Sequence, residues 1–366
     1  MGRGTLGVRP FRLLHPRPER AVRPDDGWTR RGRDLVSDPG VYLVTIESAG
    51  PSVRALAVGV AVRGSLPDSG LLPHEAVDPR AVARRTRALR RARVDREPVL
   101  LTHAGGGVAV SAAARSARRL VAVDHGGVSV SVDRVLPADA EVALADLGRR
   151  AVLVADGHHR LAAAVAHARS CDLATAGGGE AGDGTEPADC AHVTALIVDG
   201  DDTPLSLEPI HRLLQRRSPG ALRAGDLLAA LPGLTEPVPA GLRAGGGHAD
   251  DPPSADAAHR VTLVDRSGEL SVPCPPRPRE ALPTTAHVVE RVIATLGGTT
   301  VRRVPDAARV ASAAARRGAV GILMPPVSLA DVLGTVDAGL LMPVKATSFR
   351  PKLPAGVLVR PLTSHW

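Results

Sequence analysis

Val152-Leu-Val-Ala-Asp156-Gly157-His158-His159-Arg160 runs directly into Leu161-Ala-Ala-Ala-Val-Ala-His-Ala-Arg169. An apolar run, a polar cluster and an Ala-rich run read as buried strand, tight turn and helix. Gly157 lets the backbone turn sharply, and the N–H groups after it open a helix. Such N–H groups, at the positive end of the helix dipole, attract anions. His158, His159 and Arg160 add donors for a phosphate or carboxylate. Asp156 can cap the helix, orient a histidine or hold a metal. The alternative is a capped, basic turn facing solvent. Five functional-type residues in a row behind a buried strand favour the anion site.

The chain on either side supplies mixed elements. Upstream, Val41–Glu47 and Val53–Val62 read as two strands joined at Ser48–Pro51. Residues 79–94 read as an Arg/Ala helix, Pro98–Thr102 as a buried strand, Gly107–Val132 as a hairpin and Ala138–Arg150 as a helix. Downstream, His192–Val198 reads as a strand, and Val261–Val264 with Leu270–Val272 as a hairpin. Helices are expected over 285–296, 307–317 and 328–338. Strands are expected over Val320–Met324 and Gly356–Arg360, and polar loops over Gly177–Asp189 and 238–258. Strands and helices mix without strict alternation, so the fold class is α+β with mixed sheets rather than a doubly wound parallel sheet. Two regions are expected, 1–175 with the motif and 190–366 packed closely on it.

Composition narrows the function. Hydrophobic residues make up 44% of the 366-residue chain but aromatics only 1%, so the core is built from Val, Leu and Ala. The net charge is +8, and of the 46 basic residues only Lys345 and Lys352 are lysine. The arginines are spread out, with no aromatics interleaved for base stacking, which argues against nucleic acid as a partner. Both lysines, and one of two phenylalanines, fall within Met342–Lys352; the other is Phe11. Residue types kept against such a compositional drift are candidates for a role. Cys171, Cys190 and Cys274 show no paired metal spacing, and Cys171 and Cys190, which flank a Gly-rich loop, are expected as free thiols in a reducing compartment. No long uncharged apolar run and no hydrophobic signal core are present, so a cytoplasmic protein without a membrane partner is expected. Walker-type loops, Gly-x-Ser-x-Gly elbows and Cys/His zinc patterns are absent from the sequence.

Six motifs in order resemble the bacterial and archaeal domain-of-unknown-function-1015 family. They are Arg9-Pro-Phe-Arg12, His74-Glu75, Ala155-Asp-Gly-His-His-Arg160, Pro209-Ile-His-Arg212, Met324-Pro-Pro326, and Met342-Pro-Val-Lys345 with Phe349-Arg-Pro-Lys352. The Asp-Gly-His-His-Arg core also resembles the phosphate-binding motif of the ParB/sulfiredoxin-like fold, some of whose members are nucleotide-dependent kinases of free serine. That resemblance implies a ParB/sulfiredoxin-like region around the turn, with Mg²⁺ and a nucleotide as cofactors. The chain departs from the family pattern in four places. The segment Arg23-Pro-Asp-Asp-Gly27 replaces Pro-Pro-Tyr-Asp, Val77 a Thr, Arg84-Arg85 an Asp-Arg pair, and Leu161 a Tyr.

The expected site follows. Asp156, His158, His159 and Glu75 are the catalytic candidates. Adjacent histidines on a helix cannot face one point, so one orients while the other serves as acid, base or cation. Glu75 is a general base, a metal ligand, or simply a carboxylate at a helix start. Gly157, Arg160, His211, Arg212, Lys345 and Lys352 are the phosphate-binding candidates, with His211-Arg212 on a ligand-facing loop or half-buried and satisfied. No resident metal site is assigned. His15, His103, His125, His248, His259 and His287 read as solvent or packing residues. Phosphoryl transfer rests mostly on positioning and charge neutralisation, which this set supplies. The leading expectation is therefore an enzyme that binds a phosphorylated small molecule or nucleotide and transfers or removes a phosphoryl group, as a serine-kinase-like or phosphoserine-related kinase, phosphotransferase or phosphatase. The competing expectation is a non-catalytic ligand- or nucleic-acid-binding regulatory protein, a degenerate paralogue.

Overall fold

The computed structural model describes residues 5–15, 35–36, 38–62, 66–176, 187–203, 205–217, 222–230, 238–239, 260–273 and 284–362. Residues 177–186 and 240–258 of the two expected loops lie outside these, as do Arg23–Gly27, His248, His259 and Cys274. The chain forms two compact units. The first comprises Met1–Pro73, Val77–Ser206 and Pro351–Trp366; the second comprises His74–Ala76 and Leu207–Arg350. The expected regions were continuous in sequence, whereas these units exchange short segments.

The first unit is built on a nine-stranded mixed sheet. Its order is Leu71–Pro73, Val152–Asp156, Val99–His103, His192–Asp199, Val53–Ala61, Tyr42–Glu47, Val128–Arg134 and Arg118–His125, with Val8–Arg9 pairing onto Val53–Ala61. Val152–Asp156 runs parallel to Leu71–Pro73 and antiparallel to Val99–His103, which in turn runs parallel to His192–Asp199. The remaining pairs are antiparallel. The fold is therefore α+β with mixed sheets. Valine, leucine and isoleucine of the strands, such as Leu56, Val58, Leu101, Val154 and Ile197, meet Ala109, Ala113, Ala143, Leu161, Ala164 and Ala168 of the helices. Alanine faces let helices approach the sheet closely and fill a core that has almost no aromatic rings.

One expected element is corrected. Gly107–Val132 is not a single hairpin: Ala109–Ser116 forms a helix, and the hairpin follows as Arg118–His125 and Val128–Arg134. Ala-Val-Ser-Ala-Ala-Ala is a strong helix former. The turn falls instead at Gly126-Gly127, whose φ of 56° and 79° suits a two-residue hairpin connection.

The second unit carries an antiparallel six-stranded sheet. Its order is Val238–Pro239, Gly268–Pro273, Arg260–Asp265, Val320–Leu323, His211–Arg216 and Thr299–Val304. The helix Ala307–Arg317 lies against it through Val310 and Ala314. A Cβ on Gly321 would come within 2.9 Å of the Val310 side chain, so the glycine permits that approach. Ala224–Ala229, Thr285–Thr295 and Leu329–Asp337 are further helices. The edge strand Thr299–Val304 was not legible, because Thr-Thr-Val-Arg-Arg-Val lies largely exposed and lacks an apolar face. The closing strand expected over Gly356–Arg360 shrinks to Arg360–Pro361, which pairs with Val94–Asp95 in the first unit. Among the described residues, no helix is long and apolar enough to cross a membrane.

Candidate functional site

The strand Val152–Asp156 ends at Gly157, and the 19-residue helix His158–Ala176 begins at once. Gly157 has φ 98°, a conformation that L-residues rarely adopt. Its missing side chain also leaves room for Arg160 to fold back. A Cβ there would lie 3.0 Å from Arg160 Nε and 3.1 Å from Val99 Cγ1. Arg160 donates to the Pro98 carbonyl at 2.7 Å and to Asp156 Oδ2 at 2.5 Å, and lies 3.6 Å from Glu97. Lys352 donates to the other oxygen, Asp156 Oδ1, at 3.5 Å. Asp156 thus gathers two cations at the start of a long helix.

The two histidines of the turn separate. His158 is buried, at 7% exposure, while His159 is half-buried and accepts the Asp78 N–H on Nε2 at 2.9 Å. Accepting there places the proton of a neutral ring on Nδ1. Asp78 is also the N-cap of the helix Pro79–Ala92, accepting the Arg80 N–H at 2.9 Å. His159 therefore ties the start of one helix to the start of another.

Beside Arg160 lies a cavity of about 190 Å³, walled by Arg85, Arg96, Glu97, Arg160, His192 and Arg360 among others. Arg360 went unnoticed in the sequence, where it closes an apolar run. It is 2% exposed, lies 3.8 Å from Asp95 and 3.6 Å from Asp189, and donates to Thr194 Oγ1 at 3.1 Å and the His192 carbonyl at 2.7 Å. Burial pushes its pKa below the ordinary arginine value, and Asp95 and Asp189 pull it back up. A buried charge is tolerated when paired and hydrogen-bonded in this way.

The second unit holds the other candidates. His74 is fully buried, with Nε2 3.0 Å from Thr347 Oγ1 and its ring edge-to-face with Phe349 at 5.7 Å. Glu75 accepts the Ala346 N–H at 3.2 Å, and its backbone bridges to Met342. Lys345, just before Ala346, holds φ 60° in a turn. The lysine-bearing segment thus folds onto His74-Glu75, which the sequence had singled out separately.

His211-Arg212 is not on a ligand-facing loop. It opens the strand His211–Arg216, with Arg212 paired opposite Arg303 on one side and Ile322 on the other. Arg212 is wholly buried. It donates through Nε to Glu290 at 3.1 Å and through Nη1 to the Ile210 carbonyl, and Nη2 lies 3.0 Å from Glu290. Arg303 reaches the same carboxylate at 2.8 Å. Burial lowers the Arg212 pKa, while Glu290 and then Glu75 oppose it. His211 Nδ1 accepts the Met324 N–H at 2.9 Å, and burial, then Arg212, lowers its pKa. A neutral ring with a free acceptor nitrogen fits both facts. The apolar run Leu213-Leu214 carries these polar residues into a sheet interior, which is why a loop does not form.

The candidates therefore fall into two groups, one per unit: Asp156, Gly157, His158, His159, Arg160 and Lys352 in the first; His74, Glu75, His211, Arg212 and Lys345 in the second. Cys171 and Cys190 are joined as a disulfide and are not the expected free thiols. The short helix Pro187–Cys190 returns onto the long helix and brings the sulfurs together.

The model of a protein family described as Protein of unknown function (DUF1015) matches residues 28–272. The chain belongs to this family. No curated protein matches it. Three solved structures overlap much of the chain. C-terminally truncated SbnI from Staphylococcus aureus is 15% identical with a TM-score of 0.44, covering 85% of this chain and 90% of its own. A free serine kinase in complex with AMP is 12% identical with a TM-score of 0.45, covering 84% and 91%. A conserved hypothetical protein from Pyrococcus furiosus is 12% identical with a TM-score of 0.43, covering 84% and 95%.

Proposed function

We propose that this DUF1015 protein binds a phosphorylated small molecule or nucleotide at the Asp156–Arg160 turn and transfers a phosphoryl group, as a cytoplasmic serine-kinase-like or phosphoserine-related enzyme. One observation carries the proposal: Arg160 and Lys352 converge on Asp156 at the start of the 19-residue helix. The resemblance of Asp-Gly-His-His-Arg to the phosphate-binding motif of the ParB/sulfiredoxin-like fold supports it. Without ligand, the carboxylate balances the two cations. A phosphate reaching the helix N-terminus competes for Arg160 and Lys352 and releases Asp156. The freed carboxylate suits a hydroxyl proton or the Mg²⁺ of a nucleotide, since Mg²⁺ takes oxygen donors from one or two carboxylates and from phosphates. When bound, Mg²⁺ would neutralise charge developing on the phosphoryl oxygens. His159, held by the Asp78 N–H, keeps the turn in register.

One observation favours a second reading, a non-catalytic ligand-binding regulator. Both oxygens of Asp156 are engaged, and Glu75 accepts a backbone N–H. Phosphorus NMR of the protein with Mg²⁺, ATP or ADP, and free serine separates the two. The enzyme reading expects a phosphoserine signal that Asp156→Asn abolishes while nucleotide binding persists, because a base acts chiefly in the transition state. Nucleotide binding without any phosphoserine would favour the regulator.

A further inference from the structure

His167, Cys171 and Cys190 form a second cluster, to which the chemistry proposed above gives no role. His167 and Cys171 stand four residues apart on the helix His158–Ala176 and so share a face. Cys190 comes from the short helix packed on it. All three are at least 95% buried, at 2%, 5% and 2% exposure. Their donor atoms lie within 4.8 Å of one another, with Cys171 Sγ 3.9 Å from His167 Nε2.

We propose that, once the Cys171–Cys190 disulfide is reduced, these residues bind a soft divalent cation, zinc in the first instance. Two thiolates and an imidazole are a zinc donor set. With Zn–S near 2.3 Å and Zn–N near 2.0 Å, tetrahedral geometry asks for about 3.6 Å between sulfur and nitrogen. The separation found is close to that, so His167 and Cys171 are already spaced for a metal on their shared helix face, with the Cys190 sulfur inside the same 4.8 Å cluster. His167 and Cys190 also line the 190 Å³ cavity, together with His192. The fourth position thus faces a space that admits water or the His192 ring.

The chemistry balances with a dithiol or phosphine reductant. Two electrons and two protons open the disulfide to two thiols; a dithiol supplies both and becomes a disulfide, while a phosphine supplies the electrons and takes oxygen from a water, whose two protons go to the thiols, to become a phosphine oxide. Zinc then displaces both thiol protons, so uptake releases two protons per metal. The disulfide and the metal are alternative occupants of the same sulfurs, and the oxidised protein excludes the ion. His167 distinguishes the site from a plain structural disulfide, which makes no use of an imidazole one helical turn away. The sequence signal was His167-x-x-x-Cys171, with the third ligand supplied only by folding.

The test uses the full chain carrying Cys274→Ser, so that only these two thiols remain. Cobalt(II) is titrated into the oxidised protein and into protein reduced by a phosphine. The reduced form should take one equivalent and show a thiolate-to-cobalt charge-transfer band with tetrahedral visible bands, both lost on adding zinc; the oxidised form should show none. Reduced His167→Ala should bind at least tenfold more weakly. A reduced protein with no thiolate–cobalt band, or a His167→Ala variant that binds cobalt as tightly as its parent, would overturn the proposal. Since oxidised and reduced forms share one sequence, a folding defect in a variant cannot hide the first outcome.

Discussion

Two of the three His-Arg pairs in this sequence, His159-Arg160 and His211-Arg212, are held in opposite ways. His159-Arg160 sits just past a strand end, with the Arg160 side chain 20% exposed and its partners a carbonyl and two carboxylates at the rim of a cavity. His211-Arg212 opens a strand inside a sheet, with the Arg212 side chain 0% exposed and locked to Glu290. In the first pair, the proposed function has the cation exchange its carboxylate partner for a ligand. In the second, removing the partner strands a charge in a dry interior. Identical residue types become partly exposed cations or buried structural ties according to where the strand ends.

The largest expected effect sharpens that contrast. Arg212→Met should cost about 3 kcal/mol of stability, since breaking one side of a buried pair leaves an uncompensated charge; the remaining Arg303–Glu290 contact keeps it at the low end of the usual range. Arg160→Ala should cost about 1 kcal/mol, the scale of a partly exposed pair with one good hydrogen bond. Urea unfolding of both variants checks this, and equal losses would break the comparison.

Gly157→Ala comes next, at about 1–3 kcal/mol, because left-handed strain and crowding against Arg160 and Val99 coincide. Gly105 has a similar φ of 97° but nothing within 4 Å of the added Cβ, so Gly105→Ala should cost less. The difference between the two measures how tightly Arg160 is folded over the turn.

The acid limb of stability probes the buried pair. The His211 pKa is lowered from 6.5 by folding, and that of His103 likewise by burial and then Arg150. Above about pH 6.5 both rings are neutral in either state and their contribution is complete. As the pH falls below that, the unfolded chain takes up protons that the folded chain refuses, and stability is lost. His211→Gln, which keeps an acceptor for the Met324 N–H, should flatten the decline that begins near pH 6.5 in thermal unfolding across pH. An unchanged decline would assign it to His103 or elsewhere.

The strand–turn–helix at Asp156 was legible because its apolar run, glycine and Ala-rich run are local signals. The helix Pro79–Ala92 was legible from its run of arginine and alanine. What escaped depends on partners distant in sequence. Arg212 looks like a loop cation until Glu290 and the flanking strands close around it. Cys171 and Cys190 look like free thiols until a short helix returns. Lys352 was singled out as a rare lysine, but its attachment to Asp156 spans 196 residues and no local pattern encodes it.

Lys352→Ala is expected to have the smallest effect on stability, under about 1 kcal/mol, because an exposed pair at 3.5 Å contributes little. That makes it the most direct probe of the claim that the cations around Asp156 serve a ligand. Calorimetric titration of ADP and of phosphoserine, with and without Mg²⁺, into the parent and into Lys352→Ala is the measurement. The account predicts that at least one of these binds the parent, and binds Lys352→Ala about tenfold more weakly at unchanged thermal stability, the scale of one charged hydrogen bond. Failure of both compounds to bind the parent, or equal affinity in the two proteins, would contradict it.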